Sequence, residues 1–495
     1  MVASLGRREF IRLLSVGGVG ALSALRAQRA VGSNSGTGGA SNQEPVWNRL
    51  RRAPEAAPEN LTLLAEEGLA EIGGGVRASA WMLNDSLPSP VLRVRRGDRF
   101  QVTLRNELPD DLILHWHGLT PPEHSDGHPR FAVPKGGTYD YEFVVEDRAG
   151  TYWYHSHTHG RTARHTALGI GGMLIVEDEG EEALGLPSGE REIALILQDR
   201  QLDGAGLPVH TYGNVMAGYL GSEVFCNGIR RAYVDCATAL YRFRILNGSN
   251  ARIFRVERSD RRPLVLIGND GGLLESPSEL EFVDIAPAER VDLLVDLSRN
   301  RVGEDVYLRS RAFRIPGGLE HVLQGTEAQG APMDLLRLRV SRATRDSASI
   351  PDRFALVPAP DPAESVRERT FHFGTELDEN SQTMLLHRIN DRSFEIDRID
   401  ERVPFGQTEI WSFVNDDRFA HPIHLHAAHF RVLSRTGGRG TVFPWEDGLK
   451  DTVSLFPSER VRVAVQFTAH RGLFLLHCHN LEHEDTGMMF NILVE

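Results

Sequence analysis

The chain has 495 residues, 41% hydrophobic and 25% charged, a composition that supports ordinary packed cores and excludes disorder along its whole length. At roughly 150 residues per domain, the length fits about three domains. A net charge of −13, from 68 Asp and Glu against 55 Lys and Arg, argues against nucleic acid or anionic lipid as a partner, and three Cys exclude a disulfide framework.

At the N-terminus, Gly6 to Arg12 read GRREFIR, and an apolar stretch runs from Leu13 to Leu25. This resembles a twin-arginine export signal over residues 1–32, followed by a Gly- and Ser-rich flexible spacer over 33–45. The apolar run is too short to span a bilayer, and no later stretch approaches about 18 uninterrupted apolar residues. The expectation is a periplasmic or secreted protein with no membrane insertion after processing.

Beyond the spacer the chain repeats itself. VRRGDRFQVTLRN (94–106) aligns with VPFGQTEIWSFVN (403–415), sharing Val, Gly and Asn in register. GTYWYHSH from Gly150 matches GLFLLHCH from Gly472, and GGMLIVE from Gly171 resembles the final GMMFNILVE. A middle copy shows through PAERV (287–291) against PSERV (457–461), and through YRFRILN (241–247). Period-2 runs of Val, Leu, Ile, Phe and Tyr, bounded by Gly, Pro and Asn, predict strands throughout. The reading is all-β: three antiparallel Greek-key β-sandwiches over residues 46–180, 188–342 and 366–495, with 343–365 as a linker.

Ten of the 20 His fall in four short clusters, and two more lie beside them. The first is His115-Trp116-His117 and the second His155-Ser156-His157. On a strand, residues i and i+2 share a face, so each pair aims both imidazoles into one space. The third, HPIHLH, holds His421, His424 and His426. The fourth, HCHNLEHEDTGMM, holds His477, Cys478, His479, His483 and Met488.

In the fourth cluster, alternation puts His477 and His479 on one face and Cys478 on the other. A thiolate is thereby wedged between two imidazoles that serve a different site. His483, Met488 and His421 complete a set of two His, one Cys and a weak thioether, the ligand set of blue-copper electron transfer. Zinc would prefer a tetrahedral set without the long thioether. The other eight imidazoles, His115, His117, His155, His157, His424, His426, His477 and His479, come from the first and third units, and three further ions could be held among them. Ser156 stands where the third unit has Cys478, and the middle unit has no His cluster. His159 and His429 lie beside clusters but off the pattern, and the remaining eight His, His165 and His387 among them, have no register.

These motifs, HWHG, HSH, HPxHLH and HCHxxxHxxxxM, resemble the copper signatures of the multicopper oxidases, from about Pro90 to the C-terminus, and most closely three-domain bacterial laccases and copper-efflux oxidases. The resemblance implies three cupredoxin-like domains holding four copper ions. It assigns His421, Cys478, His483 and Met488 to a type 1 copper and His115 and His424 to a type 2 copper. His117, His155, His157, His426, His477 and His479 would hold a type 3 pair. Asp126, nine residues after His117, and Glu484 match acids that deliver protons to the oxygen site; with Cys478 they are the expected catalytic groups. Asp417, four residues before His421, matches a substrate-side acid.

The implied reaction is one-electron oxidation of a donor, four times over, coupled to reduction of O2 to water. With only eight Met in the chain there is no Met-rich insert, and Phe419 stands where copper-efflux relatives have a thioether. Phenols or aromatic amines are therefore the expected donors, with Cu(I) as the alternative and a non-catalytic copper-binding scaffold as the reading from another class. A monomer is expected. Cys226 and Cys236 flank an Asn227-Gly228 turn signal, and the spacing leaves open both a disulfide and two buried thiols.

Overall fold

The computed structural model describes residues 46–210, 216–317, 327–345, 348–354, 356–377 and 385–495. The expected export signal, residues 1–32, and spacer, 33–45, lie outside the described residues. Strands dominate and fall into six sheets, two in each of three sandwiches. In the first unit, a sheet of Leu61–Gly73, Val76–Leu83, Arg99–Asn106 and Thr138–Val144 faces one of Glu55–Ala56, Val91–Arg95, Leu114–His117, Gly150–Ser156 and Gly171–Glu177. Leu63, Phe100, Leu92 and Tyr154 from the two sheets meet in one buried core. Separate cores fill the second unit, around Phe243, Phe254 and Leu293, and the third, around Phe371, Trp411 and Phe474.

The expected sheets were antiparallel; each also contains a parallel pair. Leu61–Gly73 runs parallel to Arg99–Asn106, Glu192–Leu202 to Leu240–Asn247, and Glu368–Leu377 to Thr408–Asn415. Val91–Arg95 and Gly171–Glu177, Ala232–Ala237 and Met333–Arg342, and Glu401–Val403 and Met489–Val494 do the same in the other three. The cause is the Greek-key crossover, which leaves one sheet for the other and returns beside an earlier strand in the same direction.

The repeat is visible atom by atom at one corner of each unit. Asn106, Asn247 and Asn415 each end a strand fully buried, and each accepts a backbone N–H from two residues on, at 3.0, 3.0 and 2.8 Å. Each side-chain amide donates to two carbonyls: Asp110 and Val133, Arg252 and Ile285, Phe419 and Leu455. Each backbone also pairs with a turn whose apex has positive φ, at Gly136 (78°), Ala288 (70°) and Ser458 (62°).

The units are interleaved. Asn48–Arg49 pairs in parallel with Ala232–Tyr233 and so extends a sheet of the second unit. Trp445 of the third unit enters the second unit's core, and Ile350 and Phe354 of the linker pack on the second unit beside Val265 and Leu294. Cys226 and Cys236 are both free, buried thiols in that core, which settles the open alternative against a disulfide.

Candidate metal centres

Two antiparallel ladders position the histidines. In the first unit Leu114–His117 pairs with Gly150–Ser156, setting Leu114 opposite Ser156 and His115 opposite His155. In the third, His421–Leu425 pairs with Gly472–Cys478, setting Ile423 opposite Cys478 and His424 opposite His477. The registers match, so His115, His117, His155 and His157 correspond to His424, His426, His477 and His479.

The eight rings meet between the units with near-twofold symmetry. His115 stacks on His426 at 3.7 Å between centroids, and the symmetric pair His117 and His424 stacks at 3.6 Å. The Nε2 atoms of His157 and His477 lie 3.3 Å apart, and those of His155 and His479 3.4 Å. On the axis, His115 Nε2 faces its equivalent, His424 Nε2, at 3.3 Å.

Tautomers explain what this cluster is for. His115, His424, His155 and His477 have Nδ1 against the carbonyls of Asp126 (2.7 Å), Asp451 (2.9 Å), Ser156 (2.8 Å) and Cys478 (3.1 Å). A carbonyl only accepts, so each Nδ1 carries the proton and each Nε2 presents a lone pair. Lone pair then faces lone pair across the axis, an arrangement that needs cations between the rings. Burial holds His115, His117, His155, His157, His426 and His479 well below the usual imidazole range, so these rings stay neutral, as metal ligation requires.

The second donor set lies across Cys478. Its Sγ is 3.5 Å from His421 Nδ1 and 3.7 Å from His483 Nδ1, and the two nitrogens are 3.0 Å apart. His483 Nε2 donates to the Met216 carbonyl at 3.0 Å, which leaves its Nδ1 as a lone pair. All three residues are fully buried. Met488 is buried in the same core, and its carbonyl accepts the Cys478 N–H at 3.1 Å. One sulfur and two ring nitrogens converging on one buried point suit a soft-to-borderline cation. The five buried groups of His, Cys and acid able to hold a metal ion among the described residues all belong to these two sets and their flanking acids.

Both expected proton-delivering acids reach the cluster. Asp126 Oδ2 is 2.7 Å from His426 Nδ1, while its Oδ1 has no hydrogen-bond partner. Burial raises this carboxyl well above its ordinary range. The chain turns at Gly127 (φ +94°), where a Cβ would come within 2.6 Å of His115 Cα, so only glycine lets the Asp126 carbonyl approach. Glu484 lies 3.2 Å from His477 Nδ1 and 3.7 Å from His157 Nδ1. Asp417 is half-buried, its side chain 7% exposed, bonded to the Thr375 hydroxyl and 3.5 Å from His421 Nε2.

His159 sits against Phe394, 5.1 Å between ring centroids, and His429 Nε2 is 3.8 Å from Asp451; neither belongs to a donor group. Sequence reasoning missed two residues here. Asp451 lies between His117 and His424, 25 residues beyond His426, where no motif spacing marks it. His387 stacks on His483 at 4.0 Å from a strand with no His pattern.

Three cupredoxin-type sandwiches carrying one sulfur–imidazole set and one all-imidazole set define a copper-dependent class of redox protein. Family models described as multicopper oxidase match residues 65–181 and 362–495. A laccase of Bacillus stratosphericus is 30% identical over 468 residues, covering 83% of this chain and 89% of its own length. A bilirubin oxidase of Albifimbria verrucaria is 33% identical, with 82% and 72% covered. The crystal structure of the McoA multicopper oxidase of the hyperthermophile Aquifex aeolicus matches with a TM-score of 0.82 and 31% identity, covering 91% of this chain and 100% of that one. The chain belongs to the multicopper oxidase family: it is a laccase-like oxidoreductase, and copper is its metal.

Proposed function

We propose that this chain is an exported, monomeric laccase that oxidises small phenolic or aromatic-amine donors one electron at a time and reduces O2 to water. In this reading His421, Cys478, His483 and Met488 hold a type 1 copper. His115 and His424 hold a type 2 copper, and His117, His155, His157, His426, His477 and His479 a type 3 pair. Copper, when bound, supplies the one-electron redox chemistry.

The observation that carries the reading is covalent. Cys478 belongs to one donor set and its chain neighbours His477 and His479 to the other, so an electron at the sulfur has a short through-bond path to the oxygen-reducing set. Reducing O2 to two waters also consumes four protons in a dry site. Asp126 can hold one at Oδ1, the oxygen without a partner, and pass it toward His426. Glu484, between His157 and His477, serves the opposite side.

On the donor side, Asp417 orients His421, and Met216 of the middle unit covers His483. The eight Met are scattered along the chain, which supports an organic donor over Cu(I). The Arg7-Arg8 pair and the apolar run after it support export by the twin-arginine route to the periplasm or beyond.

An oxygen electrode with a methoxy-substituted phenol tests the activity. Donor-dependent O2 uptake is expected, with a blue colour that bleaches when O2 runs out. A copper-loaded protein that consumes no O2 would be a carrier instead.

A further inference from the structure

The middle unit gives no histidine to either donor set, yet its Arg290 is fully buried at the edge of the imidazole cluster. Arg290 Nη1 donates to Asp451 Oδ1 at 2.8 Å and Nη2 to Asp451 Oδ2 at 2.5 Å, while Nε is tied to the Thr151 carbonyl at 2.9 Å. Asp451 Oδ1 also accepts the Thr452 hydroxyl at 2.8 Å and lies 3.1 Å from His117 Nε2. Its carbonyl accepts His424 Nδ1–H at 2.9 Å. One residue of the third unit thus touches an imidazole from each metal-binding unit and a fixed cation from the middle one.

The near-twofold axis gives this contact a counterpart. Asp126 offers its carbonyl to His115 and its carboxylate to His426; Asp451 offers its carbonyl to His424 and its carboxylate to His117. Exchanging the first and third units exchanges the two acids. They differ in what holds them. Asp126 Oδ1 has no hydrogen-bond partner, whereas both Asp451 oxygens are gripped by Arg290.

We infer that Asp451 is a second orienting acid of the imidazole cluster, and that Arg290 is the arm by which the middle unit fixes the donor pair His117 and His424. The inference rests on the type 2 and type 3 assignment above. Asp451 is a positioning residue: it sets ring rotation and tautomer, and Arg290 prevents its carboxylate from turning away. Losing a carboxylate that orients a ligating imidazole typically costs roughly 10–100-fold in metal affinity. The middle unit, without a ligand of its own, becomes part of the metal site.

Asp451→Asn tests this, since it keeps the shape and the carbonyl to His424 and removes the charge. Copper per chain in the holoprotein is counted against graded chelator, with the blue absorption and the non-blue paramagnetic signal followed separately. Wild type is expected to hold about four ions, and the variant to release non-blue copper at roughly 10–100-fold lower chelator with an altered non-blue signal and an unchanged blue band. Should Asp451→Asn not fold, Arg290→Lys, which keeps a cation but loses the two-point grip on Asp451 and has no hydrogen bond to an imidazole, is read the same way and shifts in the same direction. Non-blue copper held as tightly as in wild type, or blue and non-blue copper lost together, overturns the inference. A wild type holding about one ion would instead overturn the four-copper reading on which it stands.

Discussion

Ser156 and Cys478 occupy the same place in matching ladders: Ser156 stands opposite Leu114 and Cys478 opposite Ile423, each between two cluster histidines. Around Cys478, His421 and His483 converge on the sulfur. Around Ser156, Leu112 stands at the place of His421, and the hydroxyl bonds His165 Nδ1 at 2.8 Å. One unit keeps a sulfur–imidazole donor group at this place and the other a hydrogen-bonded strut. Ser156→Cys is therefore expected to fold and to add no second blue absorption. A new intense band near the wild-type one would show that the first unit still holds a complete donor set.

In the proposed mechanism Asp126 and Glu484 act after the donor has delivered its electrons. Asp126→Asn and Glu484→Gln should each slow steady-state O2 uptake by roughly 10²–10⁴-fold, while the blue colour bleaches under anaerobic donor at the wild-type rate. Stopped-flow measurement of both phases checks this. Slowed bleaching would place these acids on the electron path instead.

His165 is buried with a pKa lowered to about 4 from 6.5, by burial first, partly offset by Asp110. The folded protein therefore binds fewer protons at this ring than the unfolded chain does between these values. The stability it contributes is complete above about pH 6.5 and is lost as pH falls toward 4. The linkage is worth about 3 kcal/mol. His165→Gln should flatten that part of the stability profile, read by denaturant melts of metal-free protein at pH 7, 5.5 and 4.5. An unchanged slope would contradict the assignment.

Most of the convergence of His and Cys side chains was legible in the chain because their spacing is local. HWH, HSH and HCH pairs on strands dictate shared faces, and Asn106, Asn247 and Asn415 betray the repeat. What stayed hidden is what tertiary packing alone decides. Asp451 reaches His117 of another unit, and Arg290 reaches Asp451 from a third, with no periodicity linking them. The parallel pairings, and the docking of Asn48–Arg49 on the second unit, likewise come from crossovers between sheets that alternation along one strand does not record.

For the donor, Phe419 is nearly buried beside His483, 6.3 Å between ring centroids, and adds no thioether. Side-by-side steady-state rates should give kcat/KM for a substituted phenol at least about tenfold above that for Cu(I), a gap of roughly 1.4 kcal/mol. The reverse order would make the protein a cuprous oxidase on the same scaffold.

The central claim is that one sulfur anchors one ion while its flanking histidines grip a separate cluster. Elemental copper analysis of fully loaded wild type and Cys478→Ser tests it most directly. The account predicts about four ions per chain in the first and about three in the second, with the blue band gone and the fold intact. Equal copper in both proteins, or loss of every ion from the variant, would contradict it.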